Sequence, residues 1–192
     1  GVSMKKLLCV VLASAFLPCL SSCSSVQTSP EVSTPAPSVS SFNLDEYKRE
    51  ASAYRQEVYQ ASVILGNLAN YESTFLTTAN NFGSYTTADD VTESAFEWLS
   101  KNSDESLDTV SSAYDDIRTS YKSLILADYG DDPEAAEIDG YVRSFYEYYS
   151  SLYELVTEPT LLHSEFASEA AGLLRDIQST NEDLLIFLPE SQ

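Results

Sequence analysis

From Leu44 to Phe82, large apolar side chains recur at alternating steps of three and four. Positions 44, 47, 51, 54, 58, 61, 65, 68, 72, 75, 79 and 82 read Leu, Tyr, Ala, Tyr, Val, Ala, Leu, Leu, Glu, Phe, Ala, Phe, so eleven of twelve are apolar or aromatic. A seam with that spacing runs along one side of a helix and suits lengthwise packing against other helices, with coiled-coil-like geometry. Over 39 residues it predicts a rod of about 58 Å. Its start is marked twice. Asn43 followed by Glu46 is a capping-box pattern, and Phe42 and Tyr47 occupy the positions of a hydrophobic staple. Gly66, inside the seam, costs about 1 kcal/mol relative to alanine and is expected to mark a close approach to a neighbour.

The pattern restarts after Asn81-Phe82-Gly83-Ser84, with Thr87 and Asp90 as cap residues. A second helix carries Val91, Ala95 and Trp98, then changes phase to Leu107, Val110, Tyr114, Ile117, Tyr121 and Leu124. The polar stretch 102–106 between the two phases predicts a kink or short interruption, with Ser103 as a second N-cap. Asp132-Pro133 opens a third helix, aspartate as cap and proline in the first turn, with Ile138, Val142, Phe145, Tyr149, Leu152 and Val156 on its stripe. After Glu158-Pro159 a fourth carries Leu162, Phe166, Ala170, Leu173, Ile177, Leu184 and Leu188 until Pro189 ends it. No alternating strand pattern longer than a few residues occurs. The fold expected is all-α, an antiparallel up-down four-helix bundle over residues 42–189 with one long and one shorter hairpin, followed by a tail at 190–192.

Ahead of the helices, Ser24 to Ser41 reads SSVQTSPEVSTPAPSVSS, with few residues able to anchor a core. That composition is a disordered linker. Drawn out at ~3.1 Å per residue it would reach about 55 Å. Preceding it are Met4, the basic Lys5 and Lys6, an apolar run from Leu7 to Leu17, and then Leu20-Ser21-Ser22-Cys23. The run is too short to span a bilayer as a helix and has the parts of a secretory signal. Together these residues resemble the signal peptide and lipobox of bacterial lipoproteins. The resemblance covers residues 4–23 and implies removal of residues 1–22, of which 1–3 precede the start methionine and carry no argument. It also implies acylation of Cys23, the sulfur bearing a diacylglycerol and the amine often a third chain such as palmitate. At about 0.8 kcal/mol per buried methylene, two or three chains would hold the protein at the lipid bilayer lastingly. The location implied is extracytoplasmic and membrane-anchored, at the cell surface or in the periplasm.

Loss of the leader would also move the formal charge from −20 to −22 by removing Lys5 and Lys6. Phosphate backbones are bound mainly by Lys and Arg, so nucleic acid is not an expected partner. Cys9 and Cys19 lie within the leader, which leaves Cys23 as the sole cysteine of the mature chain and excludes a disulfide framework or thiolate metal site there. Catalytic patterns are missing too. The single histidine, His163, follows Thr160 by three rather than a glutamate, so the Glu-x-x-His pattern of carboxylate di-iron bundles is absent. The six glycines are scattered singly, which speaks against phosphate loops and nucleophile elbows. An enzyme, a cofactor and a metal are therefore not expected.

Aspartate pairs occur at Asp89-Asp90, Asp115-Asp116 and Asp131-Asp132, and residues 128–139 hold six carboxylates without the ligand order of an EF-hand loop. Solvated helix ends explain such acids, since negative charge favours a helix N-terminus. Glu72 is the one charge in the first seam. Two outcomes are open for it: pairing with Lys101 across a returning helix, or turning outward while Tyr71 covers the gap. Thirteen tyrosines are the other excess. On the third helix Tyr146 and Tyr153 widen the apolar arc to about 180°. They are the candidate partner-binding residues, tyrosine being enriched at interfaces. The plain alternative is that this helix touches two neighbours. The function expected is a lipoprotein whose acidic bundle is a non-catalytic protein-binding or scaffolding module. The alternative is a carrier of a small ligand or cation.

Overall fold

A computed structural model describes residues 42–82, 88–160 and 163–188, the side chains of 79–82, 88–92 and 163–164 excepted. The segments expected to be signal peptide and linker, with Cys23, and the C-terminal tail lie outside the described residues. Those residues are all-helical and contain no strand: α1 Leu44–Phe82, α2 Ala88–Asn102, α3 Asp104–Ile125, α4 Pro133–Thr157 and α5 His163–Phe187.

The long seam forms the centre of the fold. Tyr47, Ala51, Tyr54, Val58, Ala61, Leu65 and Leu68 are all buried, and α1 packs against each of the other four helices. Its start is built much as the sequence suggests. Asn43 Oδ1 accepts from the Asp45 and Glu46 amides at 3.1 and 3.3 Å, and Phe42 packs on Tyr47 with ring centroids 5.6 Å apart. The reciprocal half of the capping box is not made. The Glu46 carboxylate instead meets Arg49 at 3.3 Å, one turn along its own helix. Tyr129, from the loop before α4, closes this end against both Phe42 and Tyr47.

The second expected helix is two. Ser103 alone leaves helical geometry (φ −141°, ψ 29°), and its side chain makes no capping hydrogen bond. The backbone ladder nevertheless crosses it: Ser103 N donates to Leu99 O at 2.8 Å and Leu107 N to Ser103 O at 3.0 Å. The interruption is therefore one residue long, and narrower than the polar stretch. On its far side the apolar phase shifts, with Ala95 and Leu99 buried before it and Leu107, Val110, Ile117 and Leu124 after it.

Asp132 caps α4 as expected, Oδ1 accepting from the amides of Glu134 and Ala135 at 3.0 and 2.9 Å, with Pro133 in the first turn. Gly130 supplies the positive φ of 56° that turns the chain into this cap. Contacts fix how the helices run beside one another. Tyr114 faces Tyr153 and Tyr121 faces Tyr146, so numbers fall along α4 as they rise along α3. Arg55 donating to Asn181 at 2.7 Å, and Gly66 set against Leu174, give the same opposed sense for α1 and α5. Lys48 with Glu134 and Tyr54 with Val142 run in the same sense, placing α1 and α4 side by side in one direction. No described helix is long and apolar enough to cross a membrane.

Candidate interaction surface

Tyr146 and Tyr153, singled out for partner contact, are engaged inside the fold. Tyr146 stacks on Tyr121 at 4.1 Å and Tyr153 on Tyr114 at 4.1 Å, the planes 6° and 16° from parallel. Tyr153 Oη also donates to Ser111 Oγ at 3.2 Å. The wide aromatic arc of α4 follows from its position, because that helix packs against α1, α3 and α5. Behind the stacks, Tyr54 donates to the Val142 carbonyl at 3.3 Å and meets Phe145 edge-on. Burial, and then the neighbouring phenols, push Tyr54 and Tyr149 well above the ordinary tyrosine range; burial and then the Tyr114 hydroxyl push Tyr146 up to about 12. Tyr54, Tyr146 and Tyr149 therefore stay protonated at any physiological pH.

The opposite side of α3 is different. Where α3 faces α1 the side chains are small, and Ala61 and Ile64 of α1 with Thr109, Ala113 and Ile117 of α3 leave a cleft of about 230 Å³. Its floor is aliphatic. Its rim carries Glu57, Gln60 and Asp116. The cleft continues along α3 into a shallow face lined by Asp104, Glu105, Asp108, Thr109, Ser112, Ala113 and Asp116. Asp104 and Asp108 are one turn apart, and Asp116 lies two turns beyond Asp108, so these carboxylates form a ridge on one helical face. No Lys or Arg lines either part. Carboxylates of one sign beside a low-dielectric floor concentrate counter-ions, and together they select positive charge joined to apolar surface. Of this ridge the sequence reading noted only Asp115-Asp116. The groove depends on Ala61 and Ala113 meeting across two helices, which no local pattern reports.

Three acids outside the ridge have local tasks. Asp132 is the cap, Glu134 pairs with Lys48, and Asp139, itself buried, accepts from Arg143 Nε at 2.7 Å. Among the described residues no three Asp, Glu, His or Cys side chains converge as metal ligands. The His163 and Asp89-Asp90 side chains and Cys23 lie outside the described residues.

Glu72 follows neither expected course. It is 0% exposed while Tyr71 is 52% exposed, and both carboxyl oxygens lack a hydrogen-bond partner. Lys101 is instead held by Glu97, four residues earlier on its own helix, at 2.7 Å on the surface. Position 72 lies mid-seam between Leu68 and Leu76, so the helix directs its side chain inward whatever its polarity. Burial pushes its carboxyl up to about 8, which keeps it neutral near pH 7. The buried hydroxyls of Ser62 and Thr180, by contrast, donate to the Val58 and Asp176 carbonyls one turn back.

No protein-family model matches the chain, and no match to it is found among the curated proteins or the solved structures.

Proposed function

We propose that the protein is a membrane-anchored extracytoplasmic lipoprotein whose acidic helical domain binds a basic segment of another protein in the groove between α1 and α3. The bundle reading adds that α2 and α3 form one arm of an antiparallel up-down four-helix arrangement. The opposed numbering of α3 against α4 and of α1 against α5 supports this, as does the like direction of α1 and α4. In this reading Cys23 carries the acyl chains, and the Ser/Thr/Pro linker lets the domain stand away from an anionic surface that its own charge of −22 would repel.

The observation that carries the binding role is the pairing of an aliphatic floor with a rim and ridge made only of acids and neutral polar groups. A segment with Lys or Arg flanking one or two apolar side chains matches both features, the charges guiding approach and the apolar contact holding it. The carrier alternative predicts a different ligand, a small cation. Calorimetry separates the two. Saturable heat with a Lys/Arg-rich amphipathic peptide, and none with calcium or zinc, supports the binding module; the reverse pattern replaces it with the carrier. Anchoring is tested separately by the mass of the mature N-terminus, which an unmodified residue other than Cys23 would contradict.

A further inference from the structure

We propose that Tyr121 with Tyr146, and Tyr114 with Tyr153, are two sites of oxidative cross-linking, at which a one-electron oxidant joins α3 to α4 through a dityrosine bond. Each pair sets two phenol rings face to face with centroids 4.1 Å apart, and each pair spans two helices. All four rings are half-buried, so solvent and a small oxidant reach them. Tyr47 and Tyr129, by contrast, lie 6.3 Å apart and are tilted by 47°, and Tyr54 and Tyr149 are enclosed. The exposed Tyr59 and Tyr71 are about 18 Å apart along α1.

The sequence directs oxidation to these rings. Sulfur ordinarily takes it first, but from residue 24 onward the chain has neither cysteine nor methionine. Its tyrosines and Trp98 are then its readiest electron donors. Trp98 stacks on Phe75, which has no hydroxyl to oxidise, so that contact cannot couple in this way.

The step balances simply. Each phenol of a pair gives one electron to the oxidant and its hydroxyl proton to water, so two equivalents of oxidant are reduced. The two phenoxyl radicals share their unpaired density with the ring carbons beside oxygen, and one carbon–carbon bond forms between those positions. The hydrogen on each joined carbon then leaves as a proton while each oxygen regains one, which restores both aromatic rings. Two electrons and two protons are lost in all. The product closes a covalent loop through the connection between α3 and α4. In a domain with no cysteine for a disulfide, it would restrict the unfolded chain as a disulfide does.

The test exposes the whole chain, at low concentration, to a limited amount of photogenerated tris-bipyridyl ruthenium(III). Dityrosine fluorescence should appear in the monomer, with loss of two hydrogens per link. Trypsin separates the sites, because Tyr121 falls in fragment 119–122, Tyr114 in 102–118, and Tyr146 and Tyr153 in 144–175. Fragment 144–175 should be recovered joined to 119–122 through Tyr146 and to 102–118 through Tyr153. These products should exceed any other tyrosine pairing at least about tenfold, since the fold holds the rings at high effective concentration. Tyr121→Phe keeps a ring in the stack and should remove only the first product; Tyr114→Phe should remove only the second. Oxidation in urea should level the pairings. Three results each overturn the proposal: links spread evenly over the tyrosines of the folded chain, the same product pattern in urea as in the folded chain, or oxidised monomer without dityrosine.

Discussion

Tyr121 and Tyr146 lie face to face across two helices, their ring centroids 4.1 Å apart and their planes 6° from parallel. Two turns away, back along α3 and onward along α4, Tyr114 and Tyr153 repeat the arrangement, so the two helices are joined by a short ladder of stacked phenols. Aromatic pairs of this kind contribute about 0.5–1.5 kcal/mol beyond the area they bury. A double-mutant cycle on Tyr121→Leu and Tyr146→Leu, read by urea unfolding, should return a coupling of that size. Additive losses would mean that the rings do not support each other and would free Tyr146 for another role.

Gly66 approaches α5 closely. A Cβ placed there would meet Leu174 Cδ2 at 3.2 Å, tight but against the movable end of a side chain. Gly66→Ala therefore sets a helix-propensity gain of about 1 kcal/mol against a squeeze at Leu174. The net change should be small. In a Leu174→Ala background the squeeze is gone, and the same substitution should stabilise the fold by about 1 kcal/mol. Thermal unfolding of the four chains checks this, and equal effects in both backgrounds would contradict the contact.

Glu72 makes stability depend on pH in an unusual direction. Its carboxyl in the folded chain, pushed up to about 8, lies above its value in the unfolded chain, so the folded state keeps a proton that the unfolded state releases. The resulting stability is complete below an unfolded value of about 4.3 and is lost as pH rises toward 8, by at most about 1.4 kcal/mol per pH unit. Glu72→Leu removes the dependence. Its advantage over the unsubstituted chain in urea unfolding should widen by a few kcal/mol from about pH 5 to pH 8; parallel pH profiles would show that Glu72 ionises freely.

Much of the helical layout was legible because it is local. The three-four spacing of Leu44 to Leu68, the Asn43 and Asp132 caps and the Phe42–Tyr47 staple are each set by residues within a turn or two, and each is found. The break at Ser103 was visible as a change of phase, though its one-residue width was not. What escaped the sequence depends on which helices become neighbours. Asn181 is buried because Arg55 reaches it from α1, 126 positions away. Tyr146 and Tyr153 read as surplus aromatics until α3 supplies Tyr121 and Tyr114 to face them. Glu72 was recognised as anomalous, but Lys101 lies where it could have answered that charge, and only the structure shows Glu97 holding it. The groove was hidden for the same reason: an alanine on α1 and another on α3 signify nothing until they meet.

The most direct test of the account is whether the groove, and not merely the overall negative charge, recognises a basic segment. Titration of the mature chain with a Lys/Arg-rich amphipathic peptide should be compared in two charge-matched variants. One carries Asp108→Lys and Asp116→Lys on the ridge; the other carries Glu147→Lys and Glu154→Lys on the exposed side of α4. The account predicts saturable binding that the ridge variant weakens at least about tenfold while the α4 variant retains it within about twofold, apart from a shared salt dependence. Equal weakening in the two variants would contradict it.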